Sequence, residues 1–145
     1  MLVQNHTLPK AIIVDIDNTV AMRGDRGAFD WARVNEDKPN ENVLNIITYL
    51  SEYYQIIFMT GRDEVCHEAT RKWLVNNYDG GDFLLFMRSK NDNRQDSIVK
   101  LEMFNNLIKP KFYIESVFDD RLSACRMWHG LGLTLFRVGD PDAKI

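Results

Sequence analysis

Five short apolar runs recur along the chain, and segments with helical spacing separate them. The runs are Ala11 to Val14, Gln55 to Met59, Phe83 to Met87, Ser116 to Phe118 with Tyr113 and Ile114 before it, and Leu133 to Val138. They are continuous rather than alternating, which is typical of strands buried on both faces. The pattern therefore predicts a parallel sheet covered by helices.

Four intervening segments place apolar residues on one helical face. In chain order they carry Val43, Ile46, Ile47, Leu50 and Tyr54; Val65, Ala69 and Trp73; Ile98, Leu101, Phe104 and Ile108; and Leu122, Cys125 and Trp128. Pro110 ends the third, and Gly130 is a natural stop for the fourth. Strands and helices in alternation predict a doubly wound, Rossmann-like α/β fold, a three-layer sandwich with a central parallel sheet. We expect residues 1–145 to form this single domain, with residues 1–9 as an N-terminal extension.

Acidic side chains follow three of the predicted strands, at the edge where such sheets bind ligands. The first strand runs into Asp15-Ile16-Asp17-Asn18-Thr19, the second into Thr60-Gly61-Arg62 and the fourth into Asp119-Asp120-Arg121. Four converging carboxylates repel one another, and a divalent cation is the simplest remedy. Oxygen ligands without a nearby His or Cys suit Mg²⁺ better than zinc. Asp residues that merely cap turns or helices are the less favoured alternative.

Lys100 supplies a separate indication of an anion. If Asp96 caps a helix that begins at Ser97, Lys100 lies in the first turn, where the helix dipole disfavours a cation. We therefore expect a phosphate or the carboxylate cluster itself beside Lys100. A lysine that faces solvent is the alternative.

Composition narrows the classes of function. The net charge of −3 over 145 residues lacks the basic footprint of a generic nucleic-acid binder. The apolar runs fall far short of the roughly 20 residues that a membrane-spanning helix needs, so we expect no membrane partner. The start, MLVQNHTLPK, lacks a secretory signal, which predicts a cytoplasmic protein with Cys66 and Cys125 as free thiols.

These residues, in this order, resemble the four motifs of the haloacid dehalogenase superfamily of phosphotransferases. The motif residues are Asp15 and Asp17, then Thr60, then Lys100, then Asp119 with Asp120, and the likeness runs from residue 11 to 138. Further stretches resemble the 3′-phosphatase domains of bacteriophage polynucleotide kinase-phosphatases. These are DIDNTVAMRGDRGAFD at 15–30, TGR at 60–62, TRKW at 70–73, the spacing of Arg94, Asp96 and Lys100, and FDDR at 118–121.

The resemblance implies a phosphoric monoester hydrolase that removes 3′-phosphates from DNA or RNA ends, in the host cytoplasm if a phage encodes it. In this hypothesis Asp15 is the nucleophile that forms an aspartyl-phosphate, and Asp17 is the general acid and base. The expected Mg²⁺ ligands are Asp15, the backbone carbonyl of Asp17, and Asp119, with Asp120 supporting the metal waters or orienting Lys100. Thr60 and Lys100 would hold phosphoryl oxygens.

The residues expected to bind substrate are Arg26, Gly61, Arg62 and Asp96. The alternative for both arginines is a surface ion pair, with Asp25 or Asp63. Three aromatic residues, Phe29, Trp31 and Tyr78, are candidates for stacking on bases, although packing inside the protein is the favoured interpretation.

No long insert follows the first or the second motif, so we expect no large cap domain and an open site that admits a polymer end. The chain has no G-x-x-x-x-G-K-[ST] loop, which predicts no 5′-kinase activity and leaves a separate 5′-kinase or ligase as an open partner. The expected substrates are 3′-phosphorylated nucleic-acid ends or nucleotides. A nucleotidase or general small-molecule phosphatase, a phospho-receiver domain and a non-catalytic nucleic-acid-binding module are the alternatives. The oligomeric state stays open.

Overall fold

The computed structural model describes residues 2–145 and has a parallel sheet at its centre. The strands are β1 (Lys10–Val14), β2 (Ala21–Met22), β3 (Lys38–Pro39), β4 (Gln55–Asp63), β5 (Leu84–Arg88), β6 (Tyr113–Asp119) and β7 (Leu135–Arg137). Five of them form the sheet in the order β5-β4-β1-β6-β7, and every pair is parallel. The short strands β2 and β3 pair with each other in an antiparallel ribbon.

The helices are α1 (Glu41–Leu50), α2 (His67–Asn77), α3 (Asp96–Met103) and α4 (Leu122–Gly130). Two 3₁₀ turns cover Trp31–Glu36 and Glu64–Cys66, and a π-helical turn, Phe104–Ile108, prolongs α3. The expectation that Asp96 caps this helix is wrong. The helix begins at Asp96 itself, and Gln95 occupies the cap position without a side-chain hydrogen bond.

Two separate apolar cores explain why the strand sequences are apolar without alternation. In β1, Ile12 and Val14 join the core on one face of the sheet, and Ala11 and Ile13 join the core on the other. The first core includes Leu44, Ile47, Trp73 and Leu74 of α1 and α2, and the second includes Val99, Met103, Ala124 and Trp128 of α3 and α4. Successive side chains of a strand point to opposite faces, so a strand between two helical layers needs apolar residues at every position. The predicted three-layer α/β sandwich is confirmed.

The strand order reverses at β1, which positions the site. The chain builds β4 and β5 on one side of β1 and then crosses to place β6 and β7 on the other. Ligands of open α/β sheets bind beyond the carboxyl ends of the strands at such a reversal. The ends of β1 and β6 are tied together there, because the backbone N–H of Asp15 donates to the carbonyl of Phe118 at 2.9 Å.

Within residues 2–145, the connections that follow β1 and β4 are small. The first holds the β2–β3 ribbon, one 3₁₀ turn and α1, and the second holds one 3₁₀ turn and α2. No large cap domain covers the sheet edge in this part of the chain, as the sequence predicts. The segment before β1 packs alongside β6, where the side chain of Gln4 exchanges two hydrogen bonds with the backbone of Ile114, at 2.9 and 2.7 Å. Among the described residues, every helix is too short or too polar to cross a lipid bilayer.

Candidate active site

Three carboxylates from neighbouring strand ends form an acidic trio: Asp15, Asp119 and Asp120. Each offers an oxygen that lies within 4.8 Å of the other two. Asp15 and Asp119 are only 6% and 1% exposed. The structure therefore brings the first and the last predicted acidic motif to one point. The carboxylate of Asp17 is not a member of this trio.

Lys100 reaches the trio from α3. Its ammonium nitrogen lies 2.9 Å from Oδ1 of Asp15 and 2.9 Å from Oδ2 of Asp119. One turn earlier in the helix, Oδ2 of Asp96 lies 3.2 Å from the same nitrogen. Lys100 is 2% exposed, so the alternative of a lysine facing solvent is wrong. Burial by itself would lower the pKa of Lys100, but the charges of Asp119, Asp15 and Asp96 outweigh it and raise that pKa well above its usual value.

The trio carries more negative charge than one lysine balances. Burial raises the pKa of Asp15 well above its usual value, against the opposing charge of Lys100, and the charges of Asp119 and Asp120 raise it further. Burial also raises the pKa of Asp120. A divalent cation would relieve this cost. The donor set consists of carboxylate oxygens without nitrogen or sulfur, and it fits a hard cation such as Mg²⁺.

Hydrogen bonds hold each trio carboxylate in place. One oxygen of Asp119 accepts from the indole N–H of Trp128 at 3.1 Å, and the other accepts from the backbone N–H groups of Asp120 and Arg121 at 2.9 and 3.2 Å. The hydroxyl of Thr19 lies 3.0 Å from Asp15 Oδ2 and 3.3 Å from Asp120 Oδ1. Sequence patterns identify Trp128 only as an apolar helix residue, and they miss this polar contact.

Two buried arginines hold the carboxylate of Asp17. Oδ1 of Asp17 lies 3.1 Å from Nη2 of Arg26 and 3.0 Å from Nη2 of Arg62. Arg26 and Arg62 are 3% and 1% exposed, whereas the Asp17 side chain keeps 29% of its surface open. Asp17 is thus presented to the site in a fixed orientation. The alternative of surface ion pairs with Asp25 or Asp63 is wrong for both arginines.

A second buried carboxylate, Asp37, joins the two arginines on the side away from the site. Asp37 accepts two hydrogen bonds from Arg26, at 2.8 and 2.9 Å, and one from Arg62 at 2.7 Å. Its side chain is 0% exposed. Arg62 also donates to the hydroxyl of Thr70 at 3.0 Å, and the indole of Trp73 donates to the Asp37 carbonyl at 2.8 Å. The first and last residues of the TRKW stretch therefore support the arginine pair. Sequence reasoning missed Asp37, because an isolated Asp between polar residues carries no motif.

The end of β4 delivers Thr60 and Gly61. Thr60 is fully buried, and its hydroxyl accepts a hydrogen bond from the backbone N–H of Arg62 at 3.1 Å. It is not among the described residues that line the cleft. The carbonyl of Gly61 accepts from Nε of Arg88 at 2.7 Å. A Cβ atom at position 61 would overlap with the carboxylate of Asp96, so any larger residue here would force that side chain to move.

A cleft of about 480 Å³ opens above these groups. Asp15, Asp17, Gly61, Arg62, Asp96, Lys100 and Asp120 contribute to its lining. Of the three aromatic candidates, Phe29 and Trp31 also line it. Tyr78 does not, because it is 4% exposed and packs edge-on against Phe58 in the core, with ring centroids 5.3 Å apart. Packing inside the protein, the favoured interpretation, is therefore confirmed for Tyr78, but it is wrong for Phe29, which is 84% exposed.

Comparison with known proteins agrees with this geometry. Residues 9–142 match the family described as the phosphatase domain of the polynucleotide kinase PNKP, of haloacid dehalogenase type. Over 134 residues, 90% of the chain is 37% identical to a protein of Autographa californica nuclear polyhedrosis virus whose assigned name is bifunctional polynucleotide kinase/RNA ligase. A chain in the solved Pnkp1/Rnl/Hen1 RNA repair complex superposes on 98% of this chain with a TM-score of 0.89 and 32% identity.

A more distant likeness concerns the fold alone. The class C acid phosphatase of Bacillus anthracis, solved with tungstate bound, covers 94% of this chain with a TM-score of 0.67 and 15% identity. The chain covers 69% of that enzyme, but only 19% of the viral protein and 46% of the matched chain in the repair complex. The shared part therefore corresponds to one portion of the larger relatives.

Proposed function

Because this chain belongs to the haloacid dehalogenase-type family of polynucleotide kinase phosphatase domains, we propose that it removes 3′-phosphates from DNA or RNA ends. It is a phosphoric monoester hydrolase. One observation carries the proposal: Asp15 lies in the acidic trio with Lys100, while Asp17, two residues later, is held outside the trio by Arg26 and Arg62. Two carboxylates in such different surroundings fit a nucleophile and a separate acid and base.

The first half of the proposed reaction uses both carboxylates. An oxygen of Asp15 attacks phosphorus in line, and the bond from phosphorus to the 3′ oxygen of the sugar breaks. Asp17 gives its proton to the leaving oxygen, which becomes the free 3′ hydroxyl. In the second half, Asp17 takes a proton from water, the water oxygen bonds to phosphorus, and the aspartyl-phosphate bond breaks to release phosphate. Asp17 suits both proton transfers because its carboxylate is partly open to the cleft.

The proposed cofactor is Mg²⁺, which the carboxylates of Asp15 and Asp119 would hold together with Asp120 and the backbone carbonyl of Asp17. When bound, it would supply positive charge to offset the phosphoryl oxygens and the trio carboxylates. Trp128 and two backbone N–H groups fix Asp119 so that its carboxylate keeps its position. The side chain of Lys100 is proposed to stabilise phosphoryl oxygens as charge shifts during the transfer, and the hydroxyl of Thr60 to turn toward them when substrate is bound.

The proposed substrate-binding groups are Arg26, Gly61, Arg62 and Asp96. Each arginine is directed at Asp17, so its guanidinium is near the point where the leaving oxygen would lie. Gly61 leaves room for Asp96 beside Lys100. Without a large cap over the described residues, the cleft can admit the end of a polymer. We propose that residues 1–145 act as one phosphatase domain, and that a kinase or a ligase acts on the same ends, as the names of the relatives indicate for those proteins.

A nucleotidase is the second candidate. The cleft volume of about 480 Å³ falls in the range of small-molecule sites, so a mononucleotide would also fit. Both candidates use the same catalytic residues and differ only in what lies beyond the terminal nucleotide.

A phosphate-release assay with and without Mg²⁺ separates the candidates. The substrates are 3′-phosphorylated DNA and RNA oligonucleotides and the matching 3′-mononucleotides, with Asp15→Asn as the inactive variant and Asp25→Asn, at an exposed site, as the matched control. We expect higher kcat/KM on oligonucleotides than on mononucleotides, and no turnover by Asp15→Asn. Equal or better use of mononucleotides would reject end processing. Full turnover by Asp15→Asn would reject Asp15 as the nucleophile.

A further inference from the structure

Phe29 is an aromatic side chain that the proposed chemistry does not use. It is 84% exposed and lines the same cleft as Asp15 and Asp17. Exposure of a large ring costs free energy, because apolar surface stays in contact with water. Tyr49 and Tyr53 are also well exposed, at 73% and 78%, but they do not line the cleft. Phe29 thus combines an open aromatic face with a position beside the reacting groups.

The loop that carries Phe29 is anchored to the acid and base residue. Arg26, which contacts Asp17, also donates to the carbonyl of Gly27 at 3.1 Å. The backbone N–H of Asp30 donates to the same carbonyl at 3.1 Å. The ring of Trp31 meets Phe29 edge to face, with centroids 6.0 Å apart and an interplanar angle of 88°. Phe29 makes this contact and still keeps most of its surface open to the cleft.

The cleft lining is mixed in charge, and two of its arginines are unpaired within the described part of the chain. Arg23 and Arg121 line the cleft, and neither side chain forms an ion pair among residues 2–145. Arg94 also lines the cleft, but its guanidinium is paired with Asp92 at 2.7 Å and with Glu102 at 2.7 Å. Unpaired arginines and an open aromatic ring in one cleft are the combination that holds phosphates and bases of single strands.

We propose that Phe29 is a stacking platform for the base of the 3′-terminal nucleotide, and that this contact selects a nucleotide over other phosphate esters. The inference rests on the proposed function, and it adds a specificity-determining residue to it. Phe29 touches neither phosphorus nor the leaving oxygen in this arrangement. Its contribution is to hold the terminal nucleoside while the phosphate lies at Asp15.

A kinetic comparison of Phe29→Ala with Phe29→Tyr tests the stack. On a 3′-phosphorylated oligonucleotide, loss of one stacked base predicts about 10- to 100-fold lower kcat/KM for Phe29→Ala, and Phe29→Tyr retains most of the wild-type value. An oligonucleotide whose terminal residue is abasic should lose a similar factor with the wild-type protein. For Phe29→Ala, removing the terminal base should cause little further loss of kcat/KM, because the variant and the abasic substrate remove the same contact. Tyr49→Ala is the matched control for loss of an exposed aromatic residue.

Two outcomes would overturn the inference. One is unchanged kcat/KM for Phe29→Ala on the normal oligonucleotide. The other is an equal fractional loss on the normal and the abasic substrate, which would mean that Phe29 only supports the loop. Since Phe29 is mostly exposed, its variants should fold, and their thermal unfolding should match that of the wild-type protein.

A binding measurement separates failure of this inference from failure of the proposed function. Asp15→Asn is mixed with an oligonucleotide that carries 2-aminopurine at its 3′-phosphorylated end, and the fluorescence of that base is followed. Stacking on Phe29 predicts quenching in Asp15→Asn that is lost in the double variant with Phe29→Ala. Equal quenching in both proteins would reject the platform. If the wild-type protein releases no phosphate from any oligonucleotide, the proposed function fails, and quenching that depends on Phe29 would still support the base-binding site.

Discussion

Nη2 of Arg62 lies 2.7 Å from Oδ2 of Asp37, and neither side chain is exposed to solvent. The same arginine also contacts Asp17 at 3.0 Å. Arg62 therefore links Asp37, which belongs to no recognisable motif, to the proposed acid and base. Arg26 repeats this relationship from the other side, with contacts to both carboxylates. The position of Asp17 therefore depends on two buried arginines and on Asp37, whose charges balance one another together with that of Asp17.

Replacing Asp37 with Asn should impair both folding and catalysis. The change leaves two buried guanidinium groups with one carboxylate, and we expect the free energy of unfolding to fall by about 3 kcal/mol. Displacement of Asp17 should lower kcat by about 100-fold, with a smaller change in KM. Urea unfolding and steady-state kinetics measure the two effects.

Asp25→Asn is the matched control for the Asp37 variant. Asp25 also pairs with an arginine, at 3.1 Å from Arg33, but its side chain is 91% exposed. Exposed pairs contribute little, so the control should keep both wild-type stability and wild-type kcat. Full activity in Asp37→Asn would show that Asp17 does not need the second carboxylate.

Replacing Lys100 with Met should destabilise the protein when metal is absent. The ammonium group is the shared partner of Asp15, Asp119 and Asp96, and its loss leaves these carboxylates without a cation. We expect unfolding in EDTA to become easier by about 3 kcal/mol. Added Mg²⁺ should restore part of this stability but not the turnover. Lys72→Met, at an exposed position of α2, is the control, and an unchanged unfolding midpoint of Lys100→Met in EDTA would contradict the prediction.

Replacing Gly61 with Ala should lower turnover by moving Asp96 at the sheet edge. The new methyl group would meet the carboxylate of Asp96 and displace it from Lys100. A shift of this kind near the phosphate predicts a loss in kcat/KM of up to about 100-fold. Gly130→Ala is the control, because a Cβ atom at that position in α4 meets nothing within 4 Å. If Gly61→Ala turns over substrate as fast as Gly130→Ala, the close approach has no function in catalysis.

The stabilisation by Mg²⁺ should grow as the pH rises. Burial raises the pKa of Asp15 well above its ordinary value of 3.8, and burial raises the pKa of Asp120 as well. Between the ordinary and the raised value, the metal-free folded chain holds more protons than the unfolded chain. Its free energy of unfolding therefore falls as the pH increases. Mg²⁺ binds the deprotonated carboxylates, so protons compete with it.

We therefore expect the increase in Tm caused by Mg²⁺ to be small near about pH 5 and larger near about pH 8. Lys100 adds no change over this range. Its pKa is raised above the ordinary value of 10.5, so the stability it contributes is fully present below that pH. Thermal unfolding with Mg²⁺ and with EDTA at each pH measures the effect, and Asp120→Asn should reduce the increase. An increase that is the same at every pH would argue against metal binding by the trio.

Much of the fold and part of the site follow from local sequence patterns. Continuous apolar runs identify strands buried on both faces, and the residues that follow them must meet at one edge because the strands are parallel. Asp15, Asp119 and Asp120 could be placed together for this reason. The expectation of an anion beside Lys100 is confirmed, but its premise is wrong, because α3 begins at Asp96 and Lys100 therefore lies beyond the first turn.

The partners of the two arginines could not be found in this way. The sequence predicts that Arg26 and Arg62 bind substrate but gives no carboxylate partner beyond Asp25 and Asp63, and Asp37 stands between the charged residues Glu36 and Lys38. Their meeting depends on how the long connection after β1 folds back over the end of β4. No periodic pattern describes that path.

By itself, the sequence determined the order of strands and helices, the edge where the acidic residues gather, and the family to which the chain is similar. The tertiary structure alone decided which carboxylate faces a lysine and which faces two arginines, and it placed Phe29 at the cleft while burying Tyr78. The physical reason is that hydrophobic periodicity acts over a few neighbouring residues. The buried ion pairs of Arg62 join residues much farther apart, with Asp37 at a separation of 25 and Asp17 at a separation of 45.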